Sequence, residues 1–222
     1  MSIKHHEDNP GYGCNINKVQ ISTIFTNNYG NVLTQCQHGT RELFRKYLDN
    51  INNGIFVEIG VWGGASLLSN YNLCHKNNIK IFGIDPFEKI CIFNGKYEED
   101  SNKEVINISK KKAENRRKNL EDIINKNNLK INLLQENSYD IVNKFDNNSI
   151  DLLHIDGDHS YKGVKKDLNL FWNKIKSDGI IINDDYNWGC CKKAINEFVN
   201  TNKNNIKKSF SPINNKHIIV KK

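Results

Sequence analysis

Residues 55–66, Ile-Phe-Val-Glu-Ile-Gly-Val-Trp-Gly-Gly-Ala-Ser, restrict the fold more tightly than any other part of the chain. An apolar run interrupted by one acid, Glu58, gives way to glycines at 60, 63 and 64 and then to a helix-like segment. A buried strand that turns through glycines into a helix is the opening unit of an α/β sheet. The turn falls at the strand's carboxyl end, where such sheets take their ligands.

The same alternation continues downstream. Strands are expected at 55–59, 80–84, 130–134, 150–155, 179–183, 206–210 and 217–220. Helices are expected at 40–51, 65–75, 109–125, 139–145, 164–175 and 190–200. Leu43, Phe44, Tyr47, Leu48 and Ile51 share one face of the first, and Leu168, Phe171, Trp172 and Ile175 form the stripe of the fifth. Apolar strand cores between helices indicate a mainly parallel sheet covered on both faces. The pair 206–210 and 217–220, split by Ser211-Pro-Ile-Asn-Asn215, reads as an antiparallel hairpin at one sheet edge. The fold class is therefore α/β, a doubly wound, mainly parallel seven-stranded sheet with a C-terminal antiparallel hairpin. Residues 1–39 are polar with little periodicity and read as an N-terminal arm or lid; residues 40–222 form the main domain. Within it, the charged and irregular stretch 88–108 reads as an insertion near the ligand-bearing face.

Composition excludes several classes. With 37% hydrophobic residues and a mean hydropathy of -0.65, no apolar stretch approaches the roughly 20 residues that span a bilayer, so no membrane partner is expected. The first residues lack the apolar core of a signal peptide, and the expected location is cytoplasmic. Cysteines 14, 36, 74, 91, 190 and 191 have no C-x-x-C spacing, which favours free thiols over a disulfide framework or zinc. The net charge of +7 would suit an acidic partner, but no aromatic-interleaved basic motif accompanies it. Solvated surface is the simpler reading, with nucleic acid kept as an alternative.

Three segments carry candidate chemistry. Gly60 and Gly64 leave backbone bare beside a ligand, and the next helix start favours an anionic group. Glu58 is placed to orient a ligand ammonium, or else is a cap or surface charge. Asp85, ahead of Pro86 at the end of the second strand, can accept both hydroxyls of a ribose or cap a helix. Asn137 and Ser138 follow the third strand and either bond an adenine edge or cap the next helix. The segment His154-Ile-Asp-Gly-Asp-His-Ser-Tyr161 brings Asp156, Asp158 and His159 to the sheet's carboxyl edge. Asp184 and Asp185 end the neighbouring strand. Carboxylates converging from Asp156, Asp184 and Asp185 repel unless a cation or protons relieve them, and oxygen ligands suit a hard divalent ion, Mg2+ ahead of Mn2+ or Ca2+. His159 beside them can act as a base near neutral pH.

At these residues the chain resembles the class I S-adenosylmethionine-dependent methyltransferases, whose fold is Rossmann-like. Val57-Glu-Ile-Gly-Val-Trp-Gly-Gly-Ala-Ser66 with Ile84-Asp-Pro86 looks like their cofactor signature. Within the class, His154–Tyr161 and Ile182-Asn-Asp-Asp-Tyr186 are similar to the metal-dependent sugar O-methyltransferases related to macrocin and mycinamicin methyltransferases. The resemblance covers about residues 54–200. It implies that Glu58, Gly60, Gly64, Ser66, Asp85, Asn137, Ser138 and Asp156 hold S-adenosylmethionine. It also implies that Asp156, Asp184 and Asp185 hold the divalent metal, Mg2+, and that His159 is the catalytic base. Trp62 departs from the small residue many methyltransferases carry there, and Asp184 from the glutamate of some relatives. The implied activity is O-methylation of a small hydroxylated acceptor, a sugar or glycan, with a homo-oligomer left open. A nicotinamide-dependent oxidoreductase, a nucleic-acid methyltransferase and a noncatalytic binder are the rival readings.

Overall fold

The computed structural model describes residues 40–88 and 110–222. The expected arm, and the expected insertion beyond residue 88, lie outside the described residues. In chain order the elements are α1 (Thr40–Leu48), β1 (Ile55–Ile59), α2 (Ala65–Lys76), β2 (Lys80–Ile84), α3 (Lys110–Lys126), β3 (Ile131–Leu134) and α4 (Ser138–Ile141). They continue as β4 (Ile150–Ile155), α5 (Tyr161–Phe171), β5 (Ile175–Asn183), α6 (Gly189–Thr201), β6 (Ile206–Phe210) and β7 (His217–Lys221).

The strands form one sheet in the order β3-β2-β1-β4-β5-β7-β6. The first five pair in parallel, and β7 runs antiparallel between β5 and β6. The expected α/β class, with its terminal hairpin, is what the sheet displays. Chain direction across the sheet reverses between β1 and β4, and such a switch point opens a crevice at the strands' carboxyl ends.

Residues of the central strands alternate between two buried layers, while the edge strand β6 is largely exposed. Phe56, Ile81, Leu152, Ile182 and Ile218 pack with Phe44, Leu48, Leu67, Leu68 and Leu120 from α1, α2 and α3. Val57, Leu153, Ile155, Ile181 and Ile219 pack on the other side with Leu168, Phe171, Ala194, Ile195 and Phe198 from α5 and α6. Glu58 and His154 are among the buried polar residues that interrupt this pattern, and the parallel register sets them side by side.

Boundaries differ from expectation where a side chain or a bulge intervenes. Helix α5 starts at Tyr161 instead of Val164 because Ser160 caps it, its hydroxyl accepting the Gly163 N–H at 2.9 Å. Strand β5 starts at Ile175 instead of Gly179. A register shift between Ile150 and Leu152 takes up the polar residues Ser177 and Asp178, with Asp178 at φ 60°.

Candidate active site

The turn after β1 is fastened by a carboxylate. Asp85 Oδ2 accepts the Val61 and Trp62 amides, each at 2.9 Å, and Oδ1 accepts the Phe87 amide at 2.7 Å. Burial pushes the Asp85 carboxyl up, against the pull of these three amides and the Arg116 charge. By lone-pair count Oδ1 keeps capacity for one ribose hydroxyl. The two expected ligand-facing glycines meet packing demands first. A Cβ on Gly60, at φ 86°, would lie 2.1 Å from the Asp156 carbonyl oxygen. One on Gly64, at φ 77°, would lie 2.5 Å from Leu120 Cδ1. Gly60 thus lets the end of β4, and with it Asp156, close against the turn. Trp62 tolerates φ 53° and lies under the Arg116 guanidinium, 3.8 Å from its ring centroid.

Glu58 is buried at the end of β1. Its Oε1 accepts the Ser66 hydroxyl, while Oε2 is fully enclosed with no hydrogen-bond partner. An orphaned buried carboxylate oxygen beside the glycine turn fits a ligand that brings its own donors, an ammonium or a hydroxyl. At the end of β3, Asn137 occupies the cap position of α4 without making a side-chain cap; its amide donates to Asp140 at 3.2 Å. The Ser138 hydroxyl donates to Asp167 Oδ1 at 2.5 Å. Burial pushes Asp167 up to about 6.

Strands β4 and β5 supply the acids. Asp156 Oδ1 and Asp185 Oδ2 each lie 3.3 Å from His159 Nε2, and all three side chains are partly open to solvent. Asp185 holds φ 50°, a left-handed conformation that Asp tolerates better than most residues. Its Oδ1 accepts Asn215 Nδ2 at 2.7 Å, leaving Oδ2 for His159. Trp188 sets its ring edge to face against His159, with centroids 5.2 Å apart. Asp184 faces inward. Its Oδ1 pairs with buried Lys216 and accepts the Asp185 amide at 2.7 Å, while Oδ2 stands 3.7 Å from His154 Nε2.

His154, wholly buried, joins the two halves of the crevice. Its Nδ1 lies 3.8 Å from Glu58 Oε1, and neither ring nitrogen has a hydrogen-bond partner. Phe44 packs against its ring at 4.9 Å. Burial opposes its charge, but Asp184 and Glu58 outweigh that and raise His154 to about 10. His159 rises to about 9 because Asp156 and Asp185 outweigh its own burial. Burial, then the Asp184 charge, pushes Asp156 up to about 6. Burial also opposes ionisation of Asp184, yet His154 and Lys216 hold its carboxyl well below the usual range. The expected relief of repelling acids is therefore supplied in part by the chain itself.

Among the described residues, two groups of three could hold a cation: His154, Asp156 and Asp184 inside, and Asp156, His159 and Asp185 outside. The outer donors fit a divalent ion, being two carboxylates and an imidazole whose ligating atoms lie within 4.8 Å of one another. The structure thus gathers Asp156, Asp184, Asp185 and His159, but turns Asp184 away from the outer group and leaves exposed Asp158 outside both, accepting the Ser160 amide at 2.9 Å. His154 and Lys216 were missed. A histidine amid Leu152, Leu153 and Ile155 was a visible signal for the first, whereas nothing near Lys216 in the sequence marks it.

Residues 57–186 match a family model described as a methyltransferase domain. The chain belongs to this methyltransferase family. A methyltransferase domain over these residues speaks for methyl transfer and against the nicotinamide-dependent reading. A curated relative, uncharacterized protein R132 of Acanthamoeba polyphaga mimivirus, is 30% identical over 131 residues, covering 59% of this chain. The match spans 51% of the relative, about half its length. Among solved structures, the O-methyltransferase NovP is similar, with a TM-score of 0.64 and 18% identity, covering 86% of this chain and 83% of its own. The calicheamicin methyltransferase CalS11 has a TM-score of 0.58 and 13% identity, covering 90% of this chain and 88% of its own. At such identities the likeness is one of fold. Among the described residues, no helix is long and apolar enough to cross a membrane.

Proposed function

We propose that this methyltransferase methylates a hydroxyl of a small acceptor, a sugar or a nucleotide-linked sugar, with a divalent metal, Mg2+, and His159 as general base. The observation that carries the reading is the outer group, Asp156, His159 and Asp185, partly open to solvent, with Asp184 behind it linked to Glu58 through the His154 ring. A fold neighbour, CalS11, is described as a TDP-rhamnose 3'-O-methyltransferase, which supports the sugar class.

S-adenosylmethionine supplies the methyl group as a sulfonium. Glu58, through Oε2, would hold a donor group of it, with Ser66 fixing the carboxylate from the other side. Asp85 would accept a ribose hydroxyl while keeping the turn closed, and Gly60, Gly64, Asn137, Ser138 and Asp156 would line the same crevice. A metal at Asp156 and Asp185, with Asp184 behind them, would lower the acceptor hydroxyl's pKa. His159 takes the hydroxyl proton at Nε2. In the metal-free protein that nitrogen is protonated at neutral pH, because two carboxylates face it. A divalent ion held by those carboxylates would offset their charge and favour the neutral imidazole that can accept a proton. Trp188, packed edge to face against the ring, would keep it in place. Much of the rate enhancement then comes from alignment and charge placement.

The test is methyl transfer from S-adenosylmethionine to a panel of sugars and nucleotide-linked sugars, with Mg2+ and with excess chelator. The expected result is O-methylation that stops in chelator and returns with Mg2+. Full turnover in chelator overturns the metal assistance, and methylation confined to nitrogen, carbon or RNA acceptors overturns the acceptor class.

A further inference from the structure

The turn between β6 and β7 reaches back over the paired acids. Asn215 holds one oxygen of Asp185, and Lys216 places its ammonium on Asp184 Oδ1. Lys216 is 5% exposed, less than most surface lysines by far, and the Asp184 side chain is 5% exposed as well. This buried charge pair faces the inner of the two three-residue groups. We infer that Lys216 is a resident cation: it fills the inner position among the acids, confines a divalent ion to the outer acids Asp156 and Asp185, and sets how tightly that ion binds. The inference rests on the metal-assisted reaction proposed above.

Three observations support it. Asp184 Oδ1 carries both the Lys216 ammonium and the Asp185 amide, so a metal could reach it only by breaking a buried ion pair, which is strongly unfavourable. The Lys216 charge is felt by Asp184, Asp156 and Asp185 together, so it lowers the negative potential over the whole set. Asn215 engages the inner oxygen of Asp185 and leaves Oδ2, the oxygen nearest His159, for the outer group. Lys216 is a positioning residue: it acts on the metal through Asp184.

The experiment is a Mn2+ titration of the full chain, without S-adenosylmethionine or acceptor, read by calorimetry and by the electron-spin signal of free Mn2+. Wild type is expected to bind Mn2+, and Lys216→Met to bind it about tenfold or more tightly because Asp184 is released. Lys216→Arg should stay near wild type, and the double variant Lys216→Met/Asp184→Asn should return to it, tying the gain to Asp184. An unchanged or weaker affinity in folded Lys216→Met overturns the inference and leaves the metal reading standing. Absence of Mn2+ binding in wild type and every variant overturns both. Should Lys216→Met fail to fold, Lys216→Gln carries the same expectation. If neither folds, Lys216 is a structural ion pair and the inference falls.

Discussion

The two halves of the crevice solve the problem of buried polarity differently. On the side of β1 to β3, carboxylates meet mainly neutral donors: Asp85 three amides, Glu58 a serine hydroxyl at Oε1, and Asp167 of α5 the hydroxyl of Ser138. On the side of β4, β5 and β7, charge is set against charge, with Lys216, His154 and His159 facing Asp156, Asp184 and Asp185. A site wired through neutral hydrogen bonds is shaped in advance and changes little with pH. A site balanced by opposite charges responds to protons and to cations. Methyl transfer needs both, a fixed seat for the donor and an adjustable environment for the acceptor's proton.

The largest test of that division is removal of charge from the second half. Asp156→Asn and Asp185→Asn are each expected to lower turnover by about a thousandfold or more and to abolish Mn2+ binding, while S-adenosylmethionine affinity changes little for Asp185→Asn. Collapse of donor affinity in Asp185→Asn, measured by calorimetry, would show that the halves are not separable. His159→Ala should lower kcat by roughly 10² to 10⁴ with donor affinity retained, as steady-state kinetics would report. The reciprocal change, Glu58→Gln, should weaken S-adenosylmethionine by about 10- to 100-fold and leave Mn2+ affinity near wild type, since charged hydrogen bonds contribute about 1.5–3 kcal/mol.

Stability against pH sharpens the contrast. His154, raised to about 10, and His159, raised to about 9, hold protons in the folded protein that the unfolded chain gives up near 6.5. Their contribution is complete below about 6.5 and is lost as pH rises through 9 and 10. Calorimetry in chelator should show the unfolding midpoint falling over that range, by about 2–4 °C for each kcal/mol lost. A flat profile would mean that these imidazoles are neutral. On the neutral half the effect is smaller and opposite in kind. Asp167, raised to about 6 by burial, favours folding most when protonated, so its ionisation above 6 costs at most about 3 kcal/mol. Asp167→Asn keeps the acceptor for Ser138 and should raise the midpoint by a few degrees at pH 8 while flattening the profile between 4 and 6.

Apolar runs were enough to locate the central strands because both of their faces are buried: Ile55–Ile59, Lys80–Ile84 and Ile150–Ile155 coincide with their expected limits. The exposed edge strand Ile206–Phe210 also does, but it was legible as half of a hairpin and not as an apolar run. Helix ends were less legible, as Ser160 capping α5 illustrates, since a cap depends on one side chain and not on a periodic pattern. In the site, acids at strand ends could be read because topology carries such ends to one edge. Their partners could not. Lys216 meets Asp184 only because β7 inserts between β5 and β6, and a turn rich in Asn gives no hint of that pairing. The sequence did not disclose a packing role for Gly60, whose bare backbone admits the end of β4 with Asp156.

The insertion of β7 between β5 and β6 has a consequence for how the enzyme comes into being. A ribosome releases β1 to β5 before the residues that seat Lys216 and Asn215 exist, so a half-made chain can assemble a parallel core whose acids still lack their tether. Chaperone engagement and proteolytic sensitivity should therefore concentrate in that interval. A premature stop anywhere ahead of Lys216 would leave a sheet with an open flank instead of a weakened catalyst.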